Sequence, residues 1–134
     1  MKIHASCSCT KVQFESEIEP VIQLCCHCLD CQDALQADYA EIAFFKISSA
    51  KWSGATESKN YVADSGSRTR REQCAECSTV MFDRSEGFPK LIGVMMAQIK
   101  PPFSSEPACH VYIKDKQAKV LIPDGIKTYE KGIS

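Results

Sequence analysis

The sequence predicts a mostly β fold: an antiparallel β-sheet scaffold that carries one short helix. Three observations predict it. Short runs of branched and aromatic residues recur along the chain, turn signals separate them, and one segment alone combines helix-favouring residues with an absence of breakers. The turn signals stand at Ser53-Gly54, Ser65-Gly66, Glu86-Gly87, Pro101-Pro102 and Pro123-Asp124-Gly125. No fixed-period repeat, low-complexity tract or long linker interrupts the pattern, so residues 1–134 are expected to form a single domain. At 134 residues and 44% apolar content, the chain can bury a sizeable core without disulfides.

The elements follow in order. Val12, Phe14 and Ile18 alternate with Gln13, Glu15, Glu17 and Glu19, the pattern of a half-buried strand, which Pro20 ends. Val21 to Leu24 is a short apolar run leading into a cluster of cysteines. From Cys28 to Gln36, the residues Leu29, Gln32, Ala34 and Leu35 favour helix, and no Gly or Pro intervenes. Six further strands are predicted at Tyr39 to Ile47, Tyr61-Val62, Ser67 to Gln73, Thr79 to Asp83, Leu91 to Met96 and His110 to Ile113.

Charge narrows the function. A formal net charge of -1 gives no footprint for nucleic acid or an anionic membrane. The one dense basic stretch, Arg68-Thr69-Arg70-Arg71, reads as a solvated strand face. Met1-Lys2-Ile3-His4 lacks the apolar stretch of a secretory signal and no run approaches membrane-spanning length, so a cytoplasmic protein with reduced thiols is expected.

Those thiols carry the functional signal. Seven of nine cysteines fall in three clusters, Cys7-x-Cys9, Cys26-x-Cys28-x-x-Cys31 and Cys74-x-x-Cys77. An odd total leaves one thiol over in any disulfide scheme, and cysteines one residue apart bridge poorly with each other. Zinc, by contrast, holds thiolates at about 2.3 Å and therefore wants sulfurs about 3.8 Å apart, which such spacings supply. Cys74-Ala75-Glu76-Cys77 is half of a zinc ribbon, and Cys7-Ser8-Cys9 is its expected partner, giving a closed, structural site of four thiolates. Cys26, Cys28 and Cys31 supply three ligands where the chain enters a helix, whose N-terminal partial charge favours the thiolate form. A fourth position is then left for water or a substrate thiolate, as in a catalytic zinc site. Cys25, His27 and Cys109 are the candidates for a fourth protein ligand. Cys25 and His27 neighbour Cys26 and would point to the opposite face in extended backbone. Cys109 reads as a small buried hydrophobe, and His110 as a packed or hydrogen-bonded residue. An open triplet is expected.

The three clusters in this order, the Cys26-His27-Cys28 triplet core, the apolar run Val80-Met81-Phe82 and a late Pro107-x-x-His110-Val111-Tyr112 motif together resemble the family of glutathione-dependent formaldehyde-activating enzymes, which also includes the centromere protein V domain. The resemblance runs from about Ile3 to Tyr129. It implies a β-tent scaffold, a structural zinc on Cys7, Cys9, Cys74 and Cys77, and a catalytic zinc on Cys26, Cys28 and Cys31. The chain departs from the family pattern at Thr10 and Ser78, where glycine is common, and at Gln73, where an aromatic residue is common. The segment Gln32-Asp33-Ala34-Leu35 lacks the basic pair often found there, which weighs against a carboxylate-bearing ligand such as glutathione.

The activity implied is that of a carbon–sulfur lyase or synthase resembling S-(hydroxymethyl)glutathione synthase, with a small thiol and an aldehyde as partners. No acid is evident from sequence: His27 is unassigned, and Asp30 and Asp33 read as helix-surface carboxylates. The alternative is a non-catalytic, zinc-stabilised protein-binding module on the same scaffold, marked by a closed second site and an exposed apolar patch. Iron–sulfur ligation matches the thiolate count alone, while the family pattern favours zinc.

Overall fold

Eleven strands and one α-helix form in a computed structural model that describes residues 2–63 and 66–133. Ser65 of the expected Ser65-Gly66 turn lies outside the described residues. The strands are β1 (Ile3–Ser6), β2 (Gln13–Ser16), β3 (Ile22–Cys26), β4 (Ala40–Lys46), β5 (Ala50–Ser53), β6 (Thr56–Val62), β7 (Arg68–Cys74), β8 (Val80–Ser85), β9 (Leu91–Met95), β10 (Cys109–Val111) and β11 (Lys127–Thr128). The helix, α1 (Leu29–Leu35), sits between β3 and β4. The mostly β expectation holds, and every sequence-predicted strand has a counterpart.

Two sheets form. The smaller has the order β1-β2-β5, and the larger has the order β11-β10-β3-β4-β9-β8-β7-β6. All pairings are antiparallel except two, because β10 runs parallel to both β3 and β11. Three differences from the sequence reading have local causes. Ile3–Ser6 and Ala50–Ser53 are four-residue strands too short to show a period, and they pair on either side of β2. Ile18 is exposed, because β2 ends at Ser16, whose Oγ donates to the carbonyl of Ile18 at 2.6 Å and turns the chain outward.

Alternation divides the larger sheet into two working faces. One face packs on the smaller sheet: Phe45, Ile92, Val94 and Phe82 meet Ile3, Ala5 and Phe14, with the Phe14 and Phe45 rings 5.1 Å apart. The other face carries Leu24, Cys26, Ile42, Met95 and Val111, covered by α1 through Cys31 and Leu35. Register on β8 is not uniform: Glu72 opposes Phe82, but the next residue, Gln73, opposes Val80. Met81 is therefore the extra residue of a bulge, and consecutive Met81 and Phe82 both enter the first core.

Candidate metal centres

The first and third clusters meet although 65 residues separate Cys9 from Cys74. The sulfurs of Cys7, Cys9, Cys74 and Cys77 all lie within 4.8 Å of one another, with Cys7 to Cys9 at 3.6 Å and Cys9 to Cys74 at 3.7 Å. Those separations match the roughly 3.8 Å edge of a tetrahedral thiolate shell. The four-sulfur set fits a metal ion.

Both turns of this set are built alike. Thr10 N–H donates to Cys7 O at 3.0 Å, and Ser78 N–H donates to Cys74 O at 2.9 Å. Val12 N–H reaches Cys7 Sγ at 3.3 Å, and Glu76 N–H reaches Cys74 Sγ at 3.4 Å, placing amide dipoles on sulfurs that must carry charge. Thr10 and Ser78 sit at φ 68° and 62°, in the left-handed region. They occupy it as β-carbon residues where glycine would be unstrained, at a cost of about 1 kcal/mol each. Cys77 is pulled down to about 5, chiefly by its contact with the Thr79 hydroxyl at 3.1 Å.

The central cluster forms a second set. Cys26 closes β3, Cys28 caps α1 with its Sγ accepting from Cys31 N–H at 3.3 Å, and Cys31 lies in the first turn. Their sulfurs lie within 4.8 Å of one another, and no fourth His, Cys, Asp or Glu joins the group among the described residues. Hydrogen bonding from Cys26 and Cys31 draws the Cys28 thiol below its ordinary range, so it ionises first. The three-thiol set, like the four-sulfur set, fits a metal ion.

Cys25, His27 and Cys109 stay out of the triplet. His27 and His110 stack, with His27 Nε2 and His110 Nδ1 at 2.8 Å, and Tyr39 packs on His27 at a centroid distance of 4.9 Å. Burial pushes the His27 imidazole down to about 4, and it pushes the Cys25 thiol up to about 12, where it is inert as a nucleophile. Cys109 is buried in the second core. Asp30 and Asp33 are exposed on α1.

One sequence reading is corrected here. Arg68 and Arg70 are exposed, but Arg71 is buried, and it reaches inward rather than into solvent. Its Nη2 donates to Cys31 Sγ at 3.4 Å and to the Tyr61 hydroxyl at 2.9 Å, and the guanidinium lies 4.7 Å from the Tyr61 ring centroid. The physical reason is parity: Arg71 stands opposite Asp83 on β8, and that row shares the α1 side of the sheet. Sequence reasoning gave Arg71, Tyr61 and Asp83 no place beside the triplet. The available signal was Asp83 itself, a carboxylate ending the apolar run Val80-Met81-Phe82.

A cleft of about 820 Å³ opens between the C-terminal end of α1 and the start of β8, and no cysteine of the triplet lines it. Leu35, Val80 and Met95 form its apolar part, and Asp38, Glu41 and Thr79 are among its polar groups; no Lys or Arg lines it.

The family model described as glutathione-dependent formaldehyde-activating enzyme matches residues 2–115. No curated protein matches the chain. Among solved structures, the crystal structure of a Rhodobacter sphaeroides protein, a structural-genomics target, is 19% identical with a TM-score of 0.54, covering 96% of this chain and 99% of that chain. At that identity the likeness concerns the fold alone.

Proposed function

The chain belongs to the family of glutathione-dependent formaldehyde-activating enzymes, and from that premise we propose that it is a zinc-dependent carbon–sulfur lyase or synthase acting on the adduct of a small thiol with an aldehyde. Cys26, Cys28 and Cys31 would hold the catalytic zinc, and Cys7, Cys9, Cys74 and Cys77 the structural one. The observation that carries the reading is the second set, which gathers three thiols and no fourth protein ligand among the described residues. Zinc bound there would supply Lewis acidity that keeps an incoming thiol in its thiolate form at neutral pH.

The chain's own residues set the surroundings. The Arg71 guanidinium donates to Cys31 and offsets part of the negative charge of three thiolates in a buried place. It is itself held by the Tyr61 hydroxyl. Cys28 fixes the start of α1, and Gln32, one turn on, ties the helix to the later chain by donating to Asp115 O at 2.9 Å. A thiol brought beside Cys26, Cys28 and Cys31 would add through sulfur to the carbonyl carbon of an aldehyde, the π pair passing to oxygen and a proton joining it, to give an S-hydroxymethyl product when that aldehyde is formaldehyde. The cleft beside Leu35 and Val80 is the place for the thiol's tail. With no Lys or Arg in its lining, it gives the carboxylates of glutathione no cation.

The test compares metal content with rate. Wild-type protein is expected to bind two zinc ions per chain and to accelerate adduct formation over the spontaneous reaction with at least one of glutathione, a neutral thiol and an amine-bearing thiol. Cys28→Ser is expected to retain one ion and lose the acceleration. Two bound ions with no acceleration for any thiol would overturn the catalytic reading in favour of a binding module.

A further inference from the structure

A carboxylate stands on the triplet's side of the larger sheet with one oxygen lacking a hydrogen-bond partner. Asp83 is 8% exposed, and its Oδ1 has no hydrogen-bond partner among the described residues. Burying a carboxylate oxygen without a donor is costly, so a chain that keeps one there has a use for it or an absent partner. Its position is fixed from both sides. On β7 its register partner is Arg71, whose guanidinium touches Cys31. On β9 its register partner is Gly93, which presents no side chain; a β-carbon there would stand 2.8 Å from Ile42 Cγ2 and 2.9 Å from Phe44 Cε1. Apolar groups therefore occupy one flank of Asp83 and the triplet's arginine the other.

We propose that Asp83 is the acid–base residue of this site: it protonates the oxygen that develops as the carbon–sulfur bond forms, and it takes that proton back in the reverse reaction. The inference deepens the carbon–sulfur lyase reading and rests on it. In the forward direction a sulfur lone pair forms the C–S bond, the carbonyl π pair moves onto oxygen, and the Asp83 carboxyl proton goes to that oxygen. The carboxylate then recovers the proton released by the thiol. In reverse, the carboxylate takes the hydroxyl proton, the O–H pair re-forms C=O, and the C–S pair leaves with sulfur.

The charged and titratable groups that act on Asp83 belong to this cluster: Arg71 on β7, Tyr61 on β6, and Cys28 at the cap of α1. Burial raises the Asp83 carboxyl to about 6, Arg71 opposes that rise, and the negative charge of Cys28 adds to it. A carboxyl poised there holds and gives up a proton near neutral pH, the range in which proton transfer assists most. Other candidates fail on geometry. His27 stacks between Tyr39 and His110, with Nε2 paired to His110 and Nδ1 without a partner among the described residues, and Asp30 and Asp33 are exposed on the helix surface.

Asp83→Asn keeps the shape and removes the proton. With both metal ions bound, it is expected to lower the adduct-formation rate about 100-fold and to abolish the inflection near pH 6. Asp83→Glu, which retains the acid, should recover part of the rate. An infrared C=O band that disappears as pH rises through about 6 in metallated wild-type protein, and is absent in Asp83→Asn, gives a readout apart from turnover. A fully metallated Asp83→Asn with the wild-type rate overturns the proposal. So does loss of metal or of the folded state in Asp83→Asn that Asp83→Glu does not reverse, since Asp83 would then be structural. If wild-type protein itself fails to accelerate the reaction, the lyase reading fails and takes this inference with it.

Discussion

At the scale of single residues, Asp83 makes the folded state sensitive to pH in a direction opposite to that of most carboxylates. Its carboxyl rises from an ordinary 3.8 to about 6 on folding, so the native state binds the proton more tightly than the unfolded chain does. The stability this contributes is present below about pH 4 and is lost as pH rises through about 6. At neutral pH the ionised, buried group is therefore a burden of up to about 3 kcal/mol. Asp83→Asn is expected to unfold at a higher temperature than wild type at pH 7.5, with the gap narrowing as melts are repeated down to pH 5. An unchanged gap across that range would mean that Asp83 is already ionised in the folded protein at pH 5, as it is in the unfolded chain. Residues of this kind were the least legible in the sequence. The seven clustered cysteines announce themselves by spacing, whereas Arg71 sits in an Arg68-Thr69-Arg70-Arg71 run whose other two arginines are solvated. Which of three arginines turns inward depends on strand parity and on what the neighbouring strand places opposite, neither of which a local window contains.

At the scale of elements, α1 is too short to persist alone: seven residues provide few internal hydrogen bonds against the cost of nucleation. It is held by Cys28 at its start, by Gln36 in a left-handed cap at its end, and by Gln32 reaching Asp115. Two of its residues, Cys28 included as the cap, are candidate ligands of the triplet. Removing metal with a chelator should therefore speed amide exchange at Cys31 and Gln32 well before it speeds exchange in β4 and β9. Simultaneous loss across both regions would argue that the triplet plays no part in holding the helix. This helix was readable because its cap, length and lack of breakers are local properties, and the sequence placed it over Cys28 to Gln36. The strands β3, β4, β8 and β9 were readable from their branched and aromatic content. β1 and β5 were not, because four residues such as Ile3–Ser6 form a strand only when β2 supplies the pairing partner. The parallel placement of β10 beside β3 was likewise invisible, since its cause is a long return of the chain.

At the scale of the whole molecule, the four-cysteine set ties the smaller sheet to the larger one. Cys7 follows β1, whereas Cys74 ends β7, and both are buried in the core between the sheets. A metal ion held there would close a loop in which 65 residues separate Cys9 from Cys74, and restricting the unfolded chain by such a loop is worth about 4 kcal/mol in the chain-entropy description. Cys74→Ser should thus destabilise the entire chain by roughly that amount, seen as a lower denaturant midpoint. Cys28→Ser should change the midpoint far less while removing the other ion. Equal losses in the two variants would contradict the division between a structural and a functional centre.

The parallel strand β10 has a consequence for how the protein is made. The ribosome releases the chain from its N-terminus, and the four-cysteine set is complete once Cys77 has emerged. The triplet is different: its three sulfurs emerge early, but His27 between them finds its ring partner only at His110, and its amide finds Val111 O at 3.0 Å. Cys26 is paired to Ala40 on β4 and Cys28 caps α1 early, but His27 between them gains its partners only after residue 111 is available. The four-cysteine set would thus be ready for an ion in a half-made chain, while the surroundings of the triplet are finished last, by a segment that supplies none of its sulfurs.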